Sequence, residues 1–232
     1  MTAEEKRTDE FFIVEQPVRS YFVEKRSKFT GLLFPVQTEE EAQQRLAEVA
    51  AEFHNPTHIC WALRLRNEPE TLERWNDDGE PTHTAGRPIL HALQSRELEN
   101  VLCAVVRYYG GIKLGTGGLK QAYRRAADEA AETAKIRLYV EQAQFTEEFS
   151  YSSMGKATYL VEKIGGIVRQ VEHKLDGSGV ILHMQTRKTD APILHKQLQE
   201  TLWNAICFGD FWVGSFWQMP CAEPTRFCPK IL

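Results

Sequence analysis

The chain has 232 residues and a formal net charge of −4, with 42% hydrophobic and 26% charged residues. This length accommodates one large domain or two small ones, and the composition excludes a disordered chain. No stretch approaches the roughly 18 uncharged apolar residues of a spanning helix, and the polar first ten residues do not resemble a signal peptide. Five cysteines without a CxxC spacing argue against structural zinc. We therefore expect a cytoplasmic protein with reduced thiols, no metal, no cofactor and no membrane partner.

The first part of the chain alternates strand-like and helix-like segments. Segments rich in apolar, β-branched or aromatic residues predict strands at 23–36, 58–65 and 100–109. Predicted helices cover 38–53, 87–95 and 119–134. Thr38 is a good N-cap for the first of these helices, with Glu41 completing a capping box, and Pro88 suits the first turn of the second. Two turn-rich loops separate these elements, at 74–86 and 110–118.

A second unit follows, with its own order of elements. The predicted strands cover 143–149, 167–173 and 179–187, and the predicted helices cover 150–164 and 191–205. Gly165 is expected to end the first of these helices, and Asp176-Gly177 marks a hairpin turn. The order β-α-β-β-α predicts a split βαβ, ferredoxin-like unit that needs one more strand, for which residues 208–217 are the candidate.

The loop GGIKLGTGG, residues 110–118, places five glycines between a strand and a helix. Glycine permits positive φ and the close approach of a ligand, and the N–H groups of such a loop and of the next helix can hold an anion. The spacing fits neither a Walker A loop nor a dinucleotide fingerprint. The candidate anion-binding glycines are Gly110, Gly111, Gly115, Gly117 and Gly118. A tight turn without a ligand is the alternative.

Basic residues accumulate around this loop. Residues 107–125 contain five of them and no acidic residue: Arg107, Lys113, Lys120, Arg124 and Arg125. Cations in the first turns of a helix oppose its dipole, and a bound anion would offset that cost. Arg124 and Arg125 can also pair with acids four residues later, so a solvated helix face is the alternative. Arg87 joins the candidate anion site if the fold brings it near the glycine loop.

An acidic cluster precedes the second predicted helix and consists of Asp77, Asp78, Glu80 and His83. Such residues can bind a divalent cation or supply a general base. Asp-Asp-Gly also builds a turn without any ligand, and we favour that interpretation because no second cluster has metal-ligand spacing. We assign no catalytic and no metal-ligating residue.

Three segments, HNPTHICWALRL, NDDGEPTHTAGRPIL and VVRYYGGIKLGTGGLKQAY, resemble in order the YigZ/IMPACT family. The resemblance spans about residues 20–135 and implies an α+β protein. Its first domain, residues 1–138, would be similar to the fold shared by RNase PH and a small-subunit ribosomal protein. Its second, residues 139–232, would be ferredoxin-like. The aromatic, cysteine-containing tail, about 208–232, departs from the family pattern.

The resemblance also implies a role in translation. The two domains look like the last two domains of the translocase elongation factor, and eukaryotic relatives regulate translation by contacting the activator of an amino-acid-starvation kinase. We therefore predict a protein that binds RNA or the ribosome through the basic glycine loop, without sequence-specific recognition of DNA. The alternatives are a metal-assisted phosphoester hydrolase that uses the acidic cluster, and a protein-interaction module without nucleic acid.

Overall fold

Val101–Arg107 are all buried, because the strand that contains them is the centre of a sheet covered on both faces. The computed structural model describes residues 9–67 and 70–208, which form two units. The first unit covers the described residues up to Gln144 together with Gln185–Pro192, and the second covers Phe145–Met184 and the described residues from Ile193 to Phe208.

The sheet of the first unit has five strands in the order β2-β3-β6-β4-β5. Their bounds are Val18–Glu24 (β2), Ser27–Pro35 (β3), His58–Leu65 (β4), Leu72–Asn76 (β5) and Val101–Tyr108 (β6). All neighbouring strands are antiparallel. A separate antiparallel pair joins β1, Glu10–Val14, to β7, Ile136–Val140.

Helices cover both faces of this sheet. Their bounds are Glu39–Glu52 (α1), Gly86–Ser95 (α2) and Gly115–Thr133 (α3). Apolar residues of α2 and α3 form the main core with one face, and α1 packs through Ala42 and Val49 on the other. Thr38 caps α1 as predicted, since its Oγ1 accepts a hydrogen bond from the Glu41 backbone N at 3.1 Å.

Small residues let α3 lie very close to the sheet. Its buried stripe is largely alanine, at positions spaced three and four apart. Ser20 Oγ on β2 donates to the Ala126 carbonyl at 2.8 Å. A Cβ at Gly31 on β3 would lie 2.4 Å from the same carbonyl oxygen, so only glycine fits at this contact. The helix that carries the basic residues is therefore held on the sheet by close packing.

Three predicted boundaries were wrong. The single strand expected at 23–36 is interrupted by a turn: Val23 and Glu24 end β2, and β3 begins at Ser27. The turn residues Lys25 and Arg26 both have positive φ. The loop expected at 74–86 begins within β5. Helix α3 begins at Gly115 rather than at residue 119, so Gly117 and Gly118 lie in its first turn.

The second unit contains a three-stranded sheet in the order β8-β10-β9 with two helices. The bounds are Gln142–Phe149 (β8), Tyr151–Lys163 (α4), Ile167–His173 (β9), Val180–Arg187 (β10) and Ala191–Phe208 (α5). Gly165 has a φ of +75°, as expected after a helix end. The strand proposed for 208–217 lies outside the described residues except for Phe208, which ends α5. The α+β class predicted from the sequence is confirmed.

Candidate functional site

One row of side chains crosses the sheet on the face covered by α2 and α3. Arg107 is in register with Phe29 of β3 on one side and with His58 of β4 on the other. Cys103 and Val105 belong to the core under these helices, and alternation along β6 gives Arg107 the same face. The alternation along β6 thus places the positively charged Arg107 side chain at the edge of an apolar core.

Arg107 is buried, with 6% of its side chain exposed. Its Nη1 forms an ion pair with Glu80, and its Nη2 lies 3.4 Å from Ser27 Oγ. The guanidinium carbon lies 5.5 Å from the ring centre of Phe29 and 5.4 Å from that of Tyr109. Its Nε has no hydrogen-bond partner within residues 9–67 and 70–208. The sequence analysis grouped Arg107 with the other basic residues of 107–125, but Arg107 is buried and is not part of the exposed basic surface.

Glu80 connects this row to α3. Its side chain is only 4% exposed, and the Tyr123 hydroxyl donates to its Oε1 at 2.8 Å. Burial raises the pKa of the Tyr123 phenol, so this hydroxyl keeps its proton and stays a donor. Glu80 therefore joins the acidic turn, β6 and α3 in one buried polar network.

The other carboxylates of the acidic cluster hold the local backbone in place. Asp77 accepts hydrogen bonds from the backbone N–H groups of His83, Ala85 and Gly86, at 2.8, 3.0 and 2.8 Å. It thereby caps the N-terminus of α2. Asp78 Oδ2 accepts from the backbone N of Ile59 at 2.6 Å. Within the described residues no group of three or more His, Cys, Asp or Glu could hold a metal ion. The geometry favours the turn interpretation over metal binding.

Two groups of β4 also bond to this turn. His58 Nδ1 lies 2.6 Å from the Asp78 carbonyl oxygen. A carbonyl only accepts, so Nδ1 carries a proton. The other ring nitrogen, Nε2, lies 3.8 Å from Glu80 Oε1. Cys60 Sγ donates to the Asp77 carbonyl at 3.0 Å. Burial raises the pKa of the Cys60 thiol to about 12, so the thiol keeps its proton at neutral pH.

The acidic turn and the glycine loop border one open cleft of about 480 Å³. One side is lined by Thr57, His58, Glu80 and Pro81. The other is lined by Lys113, Leu114, Gly115, Thr116 and Leu119, with Arg107 and Tyr109 contributed from β6 and the residue after it. The fold therefore brings together two of the segments singled out in the sequence.

The five glycines of the loop differ in what requires them. A Cβ at Gly110 would lie 2.0 Å from the Arg26 carbonyl carbon, so Gly110 packs against the β2–β3 turn. Gly111 and Gly115 have φ of +86° and +74°. A Cβ at Gly118 would lie 3.1 Å from Leu114 Cβ, whereas at Gly117 it would meet nothing within 4 Å. Gly117 is thus the position whose glycine the fold does not explain.

The remaining basic residues are exposed. Lys113 lines the cleft, and Lys120, Arg124 and Arg125 lie on the outer side of α3. The predicted intrahelical pairs are confirmed, as Arg124 lies 3.4 Å from Asp128 and Arg125 lies 2.7 Å from Glu129. Arg125 also lines, with Lys25, a second cavity of about 370 Å³. The exposed basic surface therefore extends from α3 to the β2–β3 turn.

Some predicted residues lie outside the cleft, and others were missed. Arg87 is not among the cleft's lining residues and stacks on Trp75, 5.1 Å from its ring centre. His83 is exposed and contributes its backbone N–H to Asp77. Sequence reasoning did not select His58 or Tyr109, because both lie inside the motifs quoted above but nothing local shows that they face one cleft. Only the register of β4 with β6 reveals them.

Comparisons with known proteins agree with the resemblance seen in the sequence. The model of the Impact N-terminal domain matches residues 25–131. A protein of Haemophilus influenzae named IMPACT family member is 35% identical over 161 residues, or 69% of this chain and 76% of that protein. IMPACT family member YvyE of Bacillus subtilis is 40% identical over 119 residues, which cover 51% of this chain and 54% of its own length.

A solved structure agrees as well. The crystal structure of a hypothetical protein matches with a TM-score of 0.59 at 26% identity, covering 84% of this chain and 93% of that one. Within the described residues no helix is long and apolar enough to cross a membrane. The matched domain contains both the acidic turn and the glycine loop, and the chain belongs to the IMPACT family.

Proposed function

We propose that this protein binds RNA or a ribonucleoprotein in translation or its regulation, through the glycine loop and the first turns of α3. Membership of the IMPACT family supports a role in translation. The observation that supports RNA binding is the exposed basic surface formed by Lys113, Lys120, Arg124 and Arg125, which runs from the loop before α3 to the middle of that helix.

The positive end of α3 and the basic side chains along the helix can attract the same anion. Because α3 begins at Gly115, Lys120 lies in its second turn, and Arg124 and Arg125 lie in the middle of its 19 residues. The helix dipole therefore does not oppose these charges as the sequence had indicated. The N-terminal end of a helix carries partial positive charge, and α3 has no acidic residue in its first turn. The ion pairs of Arg124 and Arg125 are exposed pairs of low energy, since half of each arginine side chain is accessible. A polyanion such as the RNA backbone would interact favourably with both the side chains and the helix end.

The decisive experiment measures how RNA binding depends on salt. Replacing Lys120, Arg124 and Arg125 by Gln should weaken binding of a single-stranded RNA. It should also reduce the slope of log K against log salt by about 2, since each phosphate contact on a single strand contributes about 0.7. Replacing Lys156, Lys163 and Lys196 of the second unit, which are equally exposed, is the charge-matched control and should leave the slope unchanged. An unchanged slope in the first variant would show that the basic surface is only a solvated helix face.

The geometry does not support the hydrolase alternative. Asp77 and Asp78 already accept backbone hydrogen bonds, and Glu80 is paired with Arg107 and Tyr123. A protein-interaction module without nucleic acid would show no strongly salt-dependent RNA binding, so the same titration tests it.

A further inference from the structure

We propose that the cleft binds one nucleoside 5′-monophosphate unit, with its base on the Tyr109 ring and its phosphate at the first turn of α3. This inference rests on the proposed function and adds to the basic surface a pocket for a single unstacked nucleotide. A free mononucleotide and one residue of a single strand present the same chemistry.

The size and apolar walls of the cleft suit a base. Its volume of about 480 Å³ falls within the roughly 300–1,000 Å³ of small-molecule sites. Pro81, Leu114 and Leu119 supply apolar surface, and the Tyr109 ring beside them is 45% exposed. Single-stranded nucleic acids are held in this way, by bases stacked on aromatic rings next to cations that meet the backbone.

The opposite part of the cleft suits a phosphate. The first N–H groups of a helix have no partner within the helix, and the N-cap residue Leu114 provides no side-chain hydrogen bond. Gly115 and Thr116 of this first turn line the cleft, and the exposed Lys113 lies just before them. Gly117 follows, with open space where a Cβ would be. A phosphate oxygen can therefore approach the backbone closely.

A buried side chain provides an independent indication of a ligand. Arg107 lines the cleft and is 94% buried, yet its Nε has no hydrogen-bond partner in the described part of the chain. A buried N–H without an acceptor is costly and rare. The Nε is not accessible from the cleft, so a nucleotide oxygen satisfies it only when the Arg107 side chain shifts on binding. His58 lines the same cleft, with its Nδ1 bonded to the Asp78 carbonyl and its Nε2 3.8 Å from Glu80 Oε1.

The test combines NMR and calorimetric titrations on the full chain. The probes are the four 5′-mononucleotides, the corresponding nucleosides, inorganic phosphate and an octamer of single-stranded RNA. Mononucleotides should shift both the amides of Gly115–Gly117 and the ring signals of Tyr109. Nucleosides should shift only the ring, and phosphate only the amides. Tyr109→Ala should weaken mononucleotide binding about tenfold, because one base stack is lost.

Matched variants separate stacking from folding. Tyr21→Ala removes a tyrosine that is 57% exposed and lines none of the described cavities, and should bind like the parent. Tyr109→Trp should restore binding, whereas Tyr109→Leu, which keeps apolar bulk without a comparable ring, should not. If Tyr109→Leu binds mononucleotides like the parent, the pocket is wrong.

The two proposals fail in different ways. Salt-dependent RNA binding that is insensitive to Tyr109→Ala would refute the pocket and leave the proposed function standing. Mononucleotide binding that requires Tyr109, without any binding of the RNA octamer, would support the pocket for a free nucleotide and refute the proposed function. Absence of binding for every probe would refute both.

Discussion

The acidic turn and the glycine loop border the same cleft but use their polar groups in opposite ways. The carboxylates of Asp77 and Asp78 accept hydrogen bonds from the protein's own backbone, and Glu80 belongs to a buried ion pair. The glycine loop exposes Lys113 and leaves space beside Gly117. The acidic turn, whose carboxylates suggested a metal site, therefore stabilises the fold. The glycine loop is the candidate for ligand contact.

The strongest test of the scaffold is Glu80→Ala. This change leaves the Arg107 charge buried without its carboxylate, and we expect the free energy of unfolding to fall by about 3–5 kcal/mol. Urea denaturation followed by circular dichroism measures it. Glu52→Ala is the control, because it breaks an exposed pair with Arg19 and should cost at most about 1 kcal/mol. Similar losses in both variants would mean that the buried network does not support the fold.

A smaller loss is expected for Asp77→Ala. The side chain accepts three backbone N–H groups at the start of α2, and removing a helix cap of this kind should cost about 2 kcal/mol. Asp77→Asn keeps one acceptor oxygen and should lose less. Thermal melts compare the two variants, and equal stability of Asp77→Ala and the parent would overturn the capping role.

The glycine loop predicts a pair of opposite effects. Gly110→Ala places a Cβ against the backbone of Arg26 and should cost about 1–3 kcal/mol. Gly117→Ala lies in a helix turn with open space and should stabilise the protein by about 0.5–1 kcal/mol.

RNA binding should be measured for the same two variants. If Gly117 is needed for close approach of a phosphate, Gly117→Ala should bind RNA more weakly although it melts at or above the parent temperature. Binding losses that only follow the loss of stability across both variants would contradict an anion-binding loop.

The smallest expected effect is that of added metal. Because both carboxylate oxygens of Asp77 and Oδ2 of Asp78 already accept backbone hydrogen bonds, Mg²⁺ or Mn²⁺ should leave the melting temperature unchanged. Differential scanning fluorimetry at increasing metal concentration checks this. A rise that disappears in Asp78→Asn would restore the hydrolase alternative.

Local chemistry explains which parts of the fold were predictable. Thr38, Gly165 and the pairs of Arg124 and Arg125 each act on residues within four positions, and their roles followed from the sequence. The hairpin turn at Lys25-Arg26 was missed because this dipeptide lacks the glycine or asparagine that usually accompanies positive φ.

The site was less predictable, because it depends on strand register. Both loops were selected from the sequence as candidates. Nothing local indicates that Arg107 faces Glu80, a residue separated from it by a helix and most of a strand, or that His58 lies beside it. The sequence did contain one indication that Arg107 is buried, since it directly follows the apolar run of residues 101–106. Counting it among the charges of 107–125 obscured that indication.

The strand order has a consequence for how the chain acquires its structure. The central strand β6 comes last of the five and pairs with both β3 and β4, so Lys28 must find Tyr108 and His58 must find Arg107. Before β6 is available, the sheet consists of two unconnected hairpins, β2–β3 and β4–β5. Contacts of such long sequence separation slow folding. During synthesis, both hairpins would emerge from the ribosome before β6. They could join into one sheet only after the strand that carries Arg107 had also emerged.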